Sequence, residues 1–406
     1  MSHEYEFLAE GNVVEYLKSR EDTRDRIDTE RISEIREIGD GNLNLVFHVV
    51  DEDGRGIILK QALPYVRMVG AGWPMTPERA RREAESLGVH HGLAPELVVE
   101  TIAYDPARFI LVLEDLSDHS VWRDALNRSE THHDVARRLG EYVASVAVGT
   151  SVLGLHRSEV SRRISQTQNP ELCVITEDLV FTEPVFDIGR NSVLPENEQD
   201  ARDLAEDPVF AAAMGEAKWR FMTHAEALIH GDLHTGSVMV RGASGQAADS
   251  VKVFDSEFAF YGPIAFDLGA LFANYTFAAA RANALGEAER ASWAMGLVAE
   301  TWEAFAAEFS RAAEDWRETS LFDRSFAERR LERMRREALL FAAAKLARRI
   351  VGAAKVRDIE TLEPALRAPA ARGVLLAARA LAAGWERSES ISEFAELVAP
   401  HVLVGR

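Results

Sequence analysis

With 406 residues the chain exceeds what one ordinary hydrophobic core accommodates, so two domains are expected. Its 47% apolar and 28% charged residues exclude a disordered polymer. A formal net charge of −20 argues against nucleic acid as the main partner, because phosphate backbones select basic faces. Cys173 is the only cysteine, which excludes an internal disulfide and suits a reducing compartment. Met1-Ser2-His3-Glu4 has neither the basic nor the apolar part of a signal peptide. No apolar run reaches the roughly 18 residues that span a bilayer. A cytoplasmic protein without a membrane partner is expected.

Residues 1–30 read as an amphipathic helical approach with Phe7, Val13, Val14, Tyr16 and Leu17 as apolar contacts. From Ile32 the pattern becomes strand-like: Ser33 to Ile38 and Leu43 to Val50 flank Gly39-Asp40-Gly41-Asn42. Such a tip is either an ordinary hairpin turn or a place where backbone N–H groups approach a phosphate chain. Asn42 and Asn44 add amides at that point. A third strand, Gly56 to Ala62, carries Lys60 among apolar neighbours. An unpaired ammonium is costly there, so Lys60 either snorkels to water or resembles the strand lysine of a kinase small lobe, which implies phosphate contacts and a glutamate on the following helix. Thr76-Pro77-Glu78 predicts a helix start with an N-cap and proline at N1. Ala80, Ala84 and Leu87 form its apolar stripe, which makes Glu83 the candidate partner of Lys60 and turns Glu85 elsewhere. The intervening loop Gly70-Ala71-Gly72-Trp73-Pro74 is a lid or a packed aromatic. Strands at Leu97 to Tyr104 and Phe109 to Leu113 complete a first domain, 1–116. Glu114-Asp115-Leu116-Ser117 then serves as a plain connector or offers backbone groups to an adenine ring.

The second domain, 117–406, reads as mostly helical, beginning about Ser120 and including Val135 to Leu155. Residues 157–208 look irregular with short helices, and a helix over Glu216 to Leu228 delivers His230-Gly231-Asp232-Leu233-His234-Thr235-Gly236-Ser237. Asp255-Ser256-Glu257 follows 23 positions after Asp232. Val238 to Val240 and Val251 to Phe254 flank a small-residue turn, so a hairpin should bring both acidic loops to one end. Two carboxylate sites there suit phosphoryl transfer: one orients an attacking hydroxyl, the other holds a metal on the phosphates. Helices are expected at about 265–283, 286–312, 323–352, 358–383 and 390–400. The last but one is a buried Ala-rich helix punctuated by Leu366, Val374, Leu375, Leu376 and Leu381. Arg329 to Arg336 read as a solvated basic face. Arg348 and Arg349 sit among apolar neighbours before Gly352, where at least one should enter a cleft.

Glycine hairpin, strand lysine, helix glutamate, connector, His-Gly-Asp loop, hairpin and acidic pair resemble, in this order, the protein-kinase fold of small-molecule kinases. That implies an α+β, bilobal protein-kinase-like architecture with a small β-rich lobe and a large helical one. Gly39 to Asn44, Gly72-Trp73-Pro74, Glu114 to Ser117, His230 to Ser237, Asp255 to Pro263 and Arg348 to Gly352 resemble the 5-methylthioribose kinases more narrowly, from about residue 32 to 355. The resemblance implies ATP- and Mg²⁺-dependent phosphorylation of methylthioribose at its 1-hydroxyl, in methionine salvage, by a homodimer. It implies that Asn42, Asn44 and Lys60, with Glu83 behind the lysine, hold ATP phosphates, and that Glu114, Asp115 and Leu116 meet adenine. Asp232 is the implied catalytic base; Asp255 and Glu257, around Ser256, are the metal ligands; Arg348, Arg349 and Trp73 are substrate contacts. Ser237 stands where kinases usually have asparagine, so a hydroxyl or water is expected at a second metal, and Ser256 should matter little. Two other readings stay open. One is a kinase of the same fold for an aminoglycoside, favoured by the net charge, or for another deoxypentose. The other is a nucleotide-binding module without chemistry, which the joint presence of Lys60, Asp232 and Asp255 opposes.

Overall fold

The computed structural model describes residues 6–38, 44–65, 72 and 74–404. It comprises two compact units: Met1–His119 with Lys252–Phe258, and Ser120–Val251 with Ala259–Arg406. Among the described residues no helix is long and apolar enough to cross a membrane.

Unit one opens with α1 (Val13–Lys18), much shorter than the helical approach expected over 1–30. From Arg20 to Arg26 no apolar residue occurs, so nothing anchors further helical turns. Val13, Tyr16 and Leu17 are buried, whereas Phe7 is exposed and Val14 only half-buried. Next come β1 (Ile32–Glu37), β2 (Asn44–Asp51), β3 (Gly56–Ala62), α2 (Arg79–Leu93), β4 (Thr101–Asp105) and β5 (Ile110–Glu114). The strands form one antiparallel sheet of order β1-β2-β3-β5-β4, in which Lys60 stands opposite Val46 and Leu111. Strand period decides the rest. Ile57 and Leu59 pack with Phe47, Val49, Val13 and Leu17, while Lys60 projects from the other face. Gln61, on the same face as Leu59, accepts from Leu8 N–H and donates to the carbonyls of Glu6 and Arg108, pinning the N-terminal segment. Helix α2 begins at Arg79 rather than Thr76; the Thr76 hydroxyl instead accepts from Glu78 N–H and closes a turn. The expected strand from Leu97 is split: Leu97 and Val99 hydrogen-bond to Val253, and β4 starts only at Thr101.

Unit two begins with β6 (Ser120–Val121), not a helix, followed by α3 (Trp122–Asn127), β7 (His132–His133) and α4 (Val135–Thr150). The irregular stretch holds α5 (Arg157–Gln166), α6 (Pro170–Thr176) and α7 (Glu198–Ala205). The helix expected over 216–228 is instead α8 (Pro208–Thr223), because Asp207 caps the N–H groups of Val209 and Phe210 with proline at N1. A strand, β8 (Ala227–Ile229), delivers His230. Then come β9 (Val238–Arg241), β10 (Gln246–Ala247), parallel to β7, and β11 (Ser250–Val253), along which the chain leaves unit two. Strand β9 pairs with β6, and Asp249 N–H donates to Arg241 carbonyl to turn the hairpin. Strand β12 (Phe260–Gly262) pairs with β8.

The helices α9 (Ile264–Ala284), α10 (Ala288–Ala312) and α11 (Arg324–Val351) are followed by α12 (Arg357–Glu360), α13 (Pro364–Gly384) and α14 (Ser392–Val402). The helix expected over 358–383 is thus broken, with Pro364 restarting it at N1. Helix α9 is apolar around its circumference and forms the core of the unit, as such a helix must. Gly269 lets α11 approach it: a Cβ there would stand 2.6 Å from Phe341 Cβ and 2.7 Å from the Ala338 carbonyl. In α13, Val374, Leu375 and Leu381 are buried as expected, but Leu376 is exposed. Not all of Arg329 to Arg336 is a solvated face either: Arg335 is buried and donates to the Ser388 carbonyl.

Candidate active site

In unit one, β3 and α2 present Lys60 to Glu83, with Nζ donating to Oε1 at 2.8 Å. The partner expected from the helical stripe is the one found, whereas Glu85 pairs with Arg81. Lys60 Nζ also donates to Asp255 Oδ1. Burial opposes its charge, but Asp255, Glu83 and Glu257 outweigh burial and hold the lysine above its ordinary pKa. Asp255 has φ of +67°, a left-handed conformation uncommon outside glycine, so the acidic segment is kinked at its first residue. The kink still leaves Asp255 and Glu257 together. One oxygen from each of Glu83, Asp255 and Glu257 lies within 4.8 Å of the others.

Two further residues order this cluster. Asn44 Nδ2 donates to Glu257 Oε2 at 3.1 Å, and Arg79 Nη2 donates to Asn44 Oδ1 at 3.1 Å. Arg79 Nε stands 3.4 Å from Glu257 Oε2, and its Nη1 is anchored on the carbonyls of Leu63 and Thr76. Ser256 is not indifferent: it is fully buried and its hydroxyl meets that of Ser86 on α2 at 2.6 Å. Burial and then Asp255 raise the pKa of Glu257, and burial raises Glu83 against the pull of Lys60. Three crowded carboxylates, two of them with ionisation resisted by burial, form a hard, all-oxygen donor set, which fits Mg²⁺.

At the end of β5, Glu114 Oε1 accepts from Glu100 N–H at 2.8 Å. Asp115 accepts from Ser117 N–H and lies 2.9 Å from His48 Nε2. Leu116 is buried and its carbonyl accepts from His119 N–H. The connector is therefore a rigid turn held by its own carboxylates. Asn42 and Trp73 fall outside the described residues.

In unit two the His230–Ser237 loop is built around Asp267, near the start of α9. Its carboxylate accepts the N–H of His230 at 2.8 Å and of Gly231 at 3.1 Å. Gly231 has φ of +81°, which a side chain would resist. Ser237 is buried; its hydroxyl accepts from His234 N–H and lies within hydrogen-bonding distance of the Asp232 and His234 carbonyls. That hydroxyl ties the loop together.

Asp232 projects from this loop with Lys345 Nζ 2.9 Å from Oδ1 and His234 Nε2 3.3 Å from Oδ2. Burial would raise its pKa, but Lys345, His234 and Arg349 outweigh burial and hold it well below the usual carboxylate range. Arg348 is buried with an Nε that finds no hydrogen-bond partner, and Arg349 donates to the Ala354 carbonyl. Burial depresses both guanidinium groups, the second further by the first. Arg123 closes the group from α3, donating to Asn274 at 2.7 Å and standing 3.4 Å from buried Asp358. Lysine and arginines outnumber the carboxylates, so this pocket favours an anionic or electron-rich oxygen next to Asp232.

Sequence reasoning missed Arg79, Asp267, Lys345 and Arg123. Asp267 and Lys345 carried a visible signal: each is a lone charge within an apolar helical run, the same anomaly that marked Lys60.

Residues 34–300 match the phosphotransferase enzyme family. A methylthioribose kinase of Klebsiella pneumoniae is 39% identical over 365 residues, covering 88% of this chain and 90% of the relative. That of Pectobacterium atrosepticum is 41% identical, covering 80% and 82%, and that of Geobacillus kaustophilus is 40% identical, covering 81% of each.

Proposed function

The chain belongs to the methylthioribose kinase family, and from that premise we propose that it transfers the γ-phosphoryl group of ATP to the 1-hydroxyl of 5-methylthioribose. The observation that carries the chemistry is Asp232, an ionised carboxylate on a rigid loop with a cationic neighbourhood. In this reading Asp232 accepts a hydrogen bond from the sugar hydroxyl. The new O1–P bond forms as the bond from phosphorus to the β,γ-bridging oxygen breaks. ADP leaves, and the hydroxyl proton passes to Asp232. A low pKa suits this role: in a loose transition state the proton departs late, so orientation matters more than basicity. Arg348 and Arg349 meet the negative charge that spreads over the transferring oxygens.

Lys60, aligned by Glu83, contacts the α- and β-phosphates, with Asn42 and Asn44 beside the chain. Asp255 and Glu257 would hold Mg²⁺, which supplies charge neutralisation on the phosphates. The backbone of Glu114 to Leu116 receives adenine in this reading, and Trp73 is assigned to the sugar substrate as the family resemblance implies. We place the enzyme in the cytoplasm, as a homodimer acting in methionine salvage without a nucleic-acid partner.

The residues around Asp232 argue against an aminoglycoside acceptor despite the net charge of −20. A polycation would bring ammonium groups against Lys345, Arg348, Arg349 and Arg123. ADP release measured with methylthioribose, other deoxypentoses and aminoglycosides tests the assignment. Turnover is expected with methylthioribose; turnover with another alcohol and none with methylthioribose would refute it.

A further inference from the structure

Resting on that reading of Asp232, we infer that Lys345 is a positioning residue for the phosphoryl transfer, fixing both the orientation and the charge of the catalytic carboxylate. The side chain leaves α11 within an apolar stretch, Leu339 to Leu346, and is 5% exposed. A lysine is not tolerated there without a partner. It has two: Asp232 Oδ1 at 2.9 Å, and the face of Phe266, whose centroid lies 4.4 Å from Nζ. Phe266 precedes Asp267, the residue that holds the loop backbone. One turn of α9 thus supports the loop through Asp267 and the lysine through Phe266.

A carboxylate has about four acceptor positions. Lys345 occupies one on Oδ1 and His234 approaches Oδ2, which locks the carboxylate plane and leaves the remaining lone pairs for an incoming hydroxyl. The side chain of Asp232 is 21% exposed, so those lone pairs are reachable. The ammonium also disfavours the protonated acid. It makes Asp232 an orienting acceptor that takes the proton only as the O–P bond forms.

The other titratable or charged groups around Asp232 are His230 and His234 on its loop, Arg348 and Arg349 on α11, Arg123 on α3, Asp267 on α9 and Asp358 on α12. Lys345 Nζ makes the 2.9 Å contact with Oδ1, so its removal should be felt at Asp232.

The test compares Lys345→Met, Lys345→Arg and Asp232→Asn with wild type, following kcat, KM for both substrates, the pH profile of kcat/KM and nucleotide binding. Lys345→Met is expected to lose kcat on the order of 100-fold, with ATP binding within about threefold of wild type. Without the cation the Asp232 pKa rises, so the acidic limb of the profile moves toward neutrality by about one unit. Lys345→Arg keeps the charge and should keep the limb in place while losing kcat. A wild-type limb and kcat in Lys345→Met would overturn the inference, and so would a lower kcat with an unmoved limb, the mark of a packing role alone. If Lys345→Met does not fold, Lys345→Arg decides, since a shifted limb with the charge retained contradicts the scheme. Turnover by Asp232→Asn at the wild-type rate would instead overturn the assignment of the base.

Discussion

Asp267 and His230, 37 positions apart, are joined by a buried 2.8 Å hydrogen bond from the loop backbone to the carboxylate. The same carboxylate takes Gly231 N–H, so one side chain fixes the two residues preceding Asp232. Asp267→Ala would leave two buried donors without an acceptor, at about 1–3 kcal/mol each. Thermal denaturation should show a lower Tm, and turnover should fall on the order of 100-fold as the loop loses its register. Asp267→Asn, which can still accept one of the bonds, should lie between the two.

Asp232→Ala removes the group that orients the acceptor hydroxyl. General-base losses of this kind run to about 10²–10⁴-fold, and nothing in unit one is altered by the change. Nucleotide affinity measured by calorimetry should stay close to wild type while phosphorylation becomes undetectable or nearly so. Equal phosphorylation by the variant would remove Asp232 from its role.

The acidic cluster of unit one can be probed with the metal itself. Stripping divalent cations with a chelator should stop turnover, and added Mg²⁺ should restore it. Glu257 is tied to Asn44 and near Arg79, whereas the Asp255 side chain is 40% exposed on a left-handed backbone. Asp255→Asn should therefore abolish activity at every Mg²⁺ concentration. Glu257→Gln should shift the Mg²⁺ dependence upward by about tenfold or more, as altered ligand sets do. Identical Mg²⁺ curves for wild type and both variants would exclude these carboxylates as ligands.

What could be read from the chain was whatever short-range pattern determines. Strand β3 has the expected limits, and once Lys60 is read as the strand lysine of a kinase small lobe, the helix period singles out Glu83 over Glu85. Long-range partners were not legible. Arg79 looks like any first-turn arginine until folding places Glu257 beside it, and Arg123 acquires its meaning from Asn274 and Asp358. The helix expected at 216–228 failed because its apolar pattern continues into β8, where the two periods are indistinguishable over three residues. The packing of Ser237 and Ser256 was hidden for another reason. A serine hydroxyl can face solvent, metal or backbone, and only the fold shows that one ties a loop and the other docks α2.

A stability test concerns Glu337 on α11, which is 1% exposed, contacts Arg220 and has an Oε2 without a hydrogen-bond partner. Burial, then the nearby Glu226 charge, push its pKa up to about 7 against the attraction of Arg220. The folded state then holds this proton more tightly than the unfolded chain, whose ordinary glutamate pKa is 4.5. Between those values the native protein binds more protons, so this residue's contribution to stability declines as pH rises from about 4.5 and is lost above about 7. The effect is on the order of 1–3 kcal/mol. Glu337→Gln keeps an acceptor for Arg220 without the charge, so its Tm should exceed wild type at pH 8 and match it near pH 5. Half-buried His224 has a ring nitrogen within 4.8 Å of a Glu337 oxygen, so both proteins are compared in a His224→Asn background. A Tm difference that does not change between pH 5 and pH 8 would mean that Glu337 is already ionised, paired with Arg220, throughout the range.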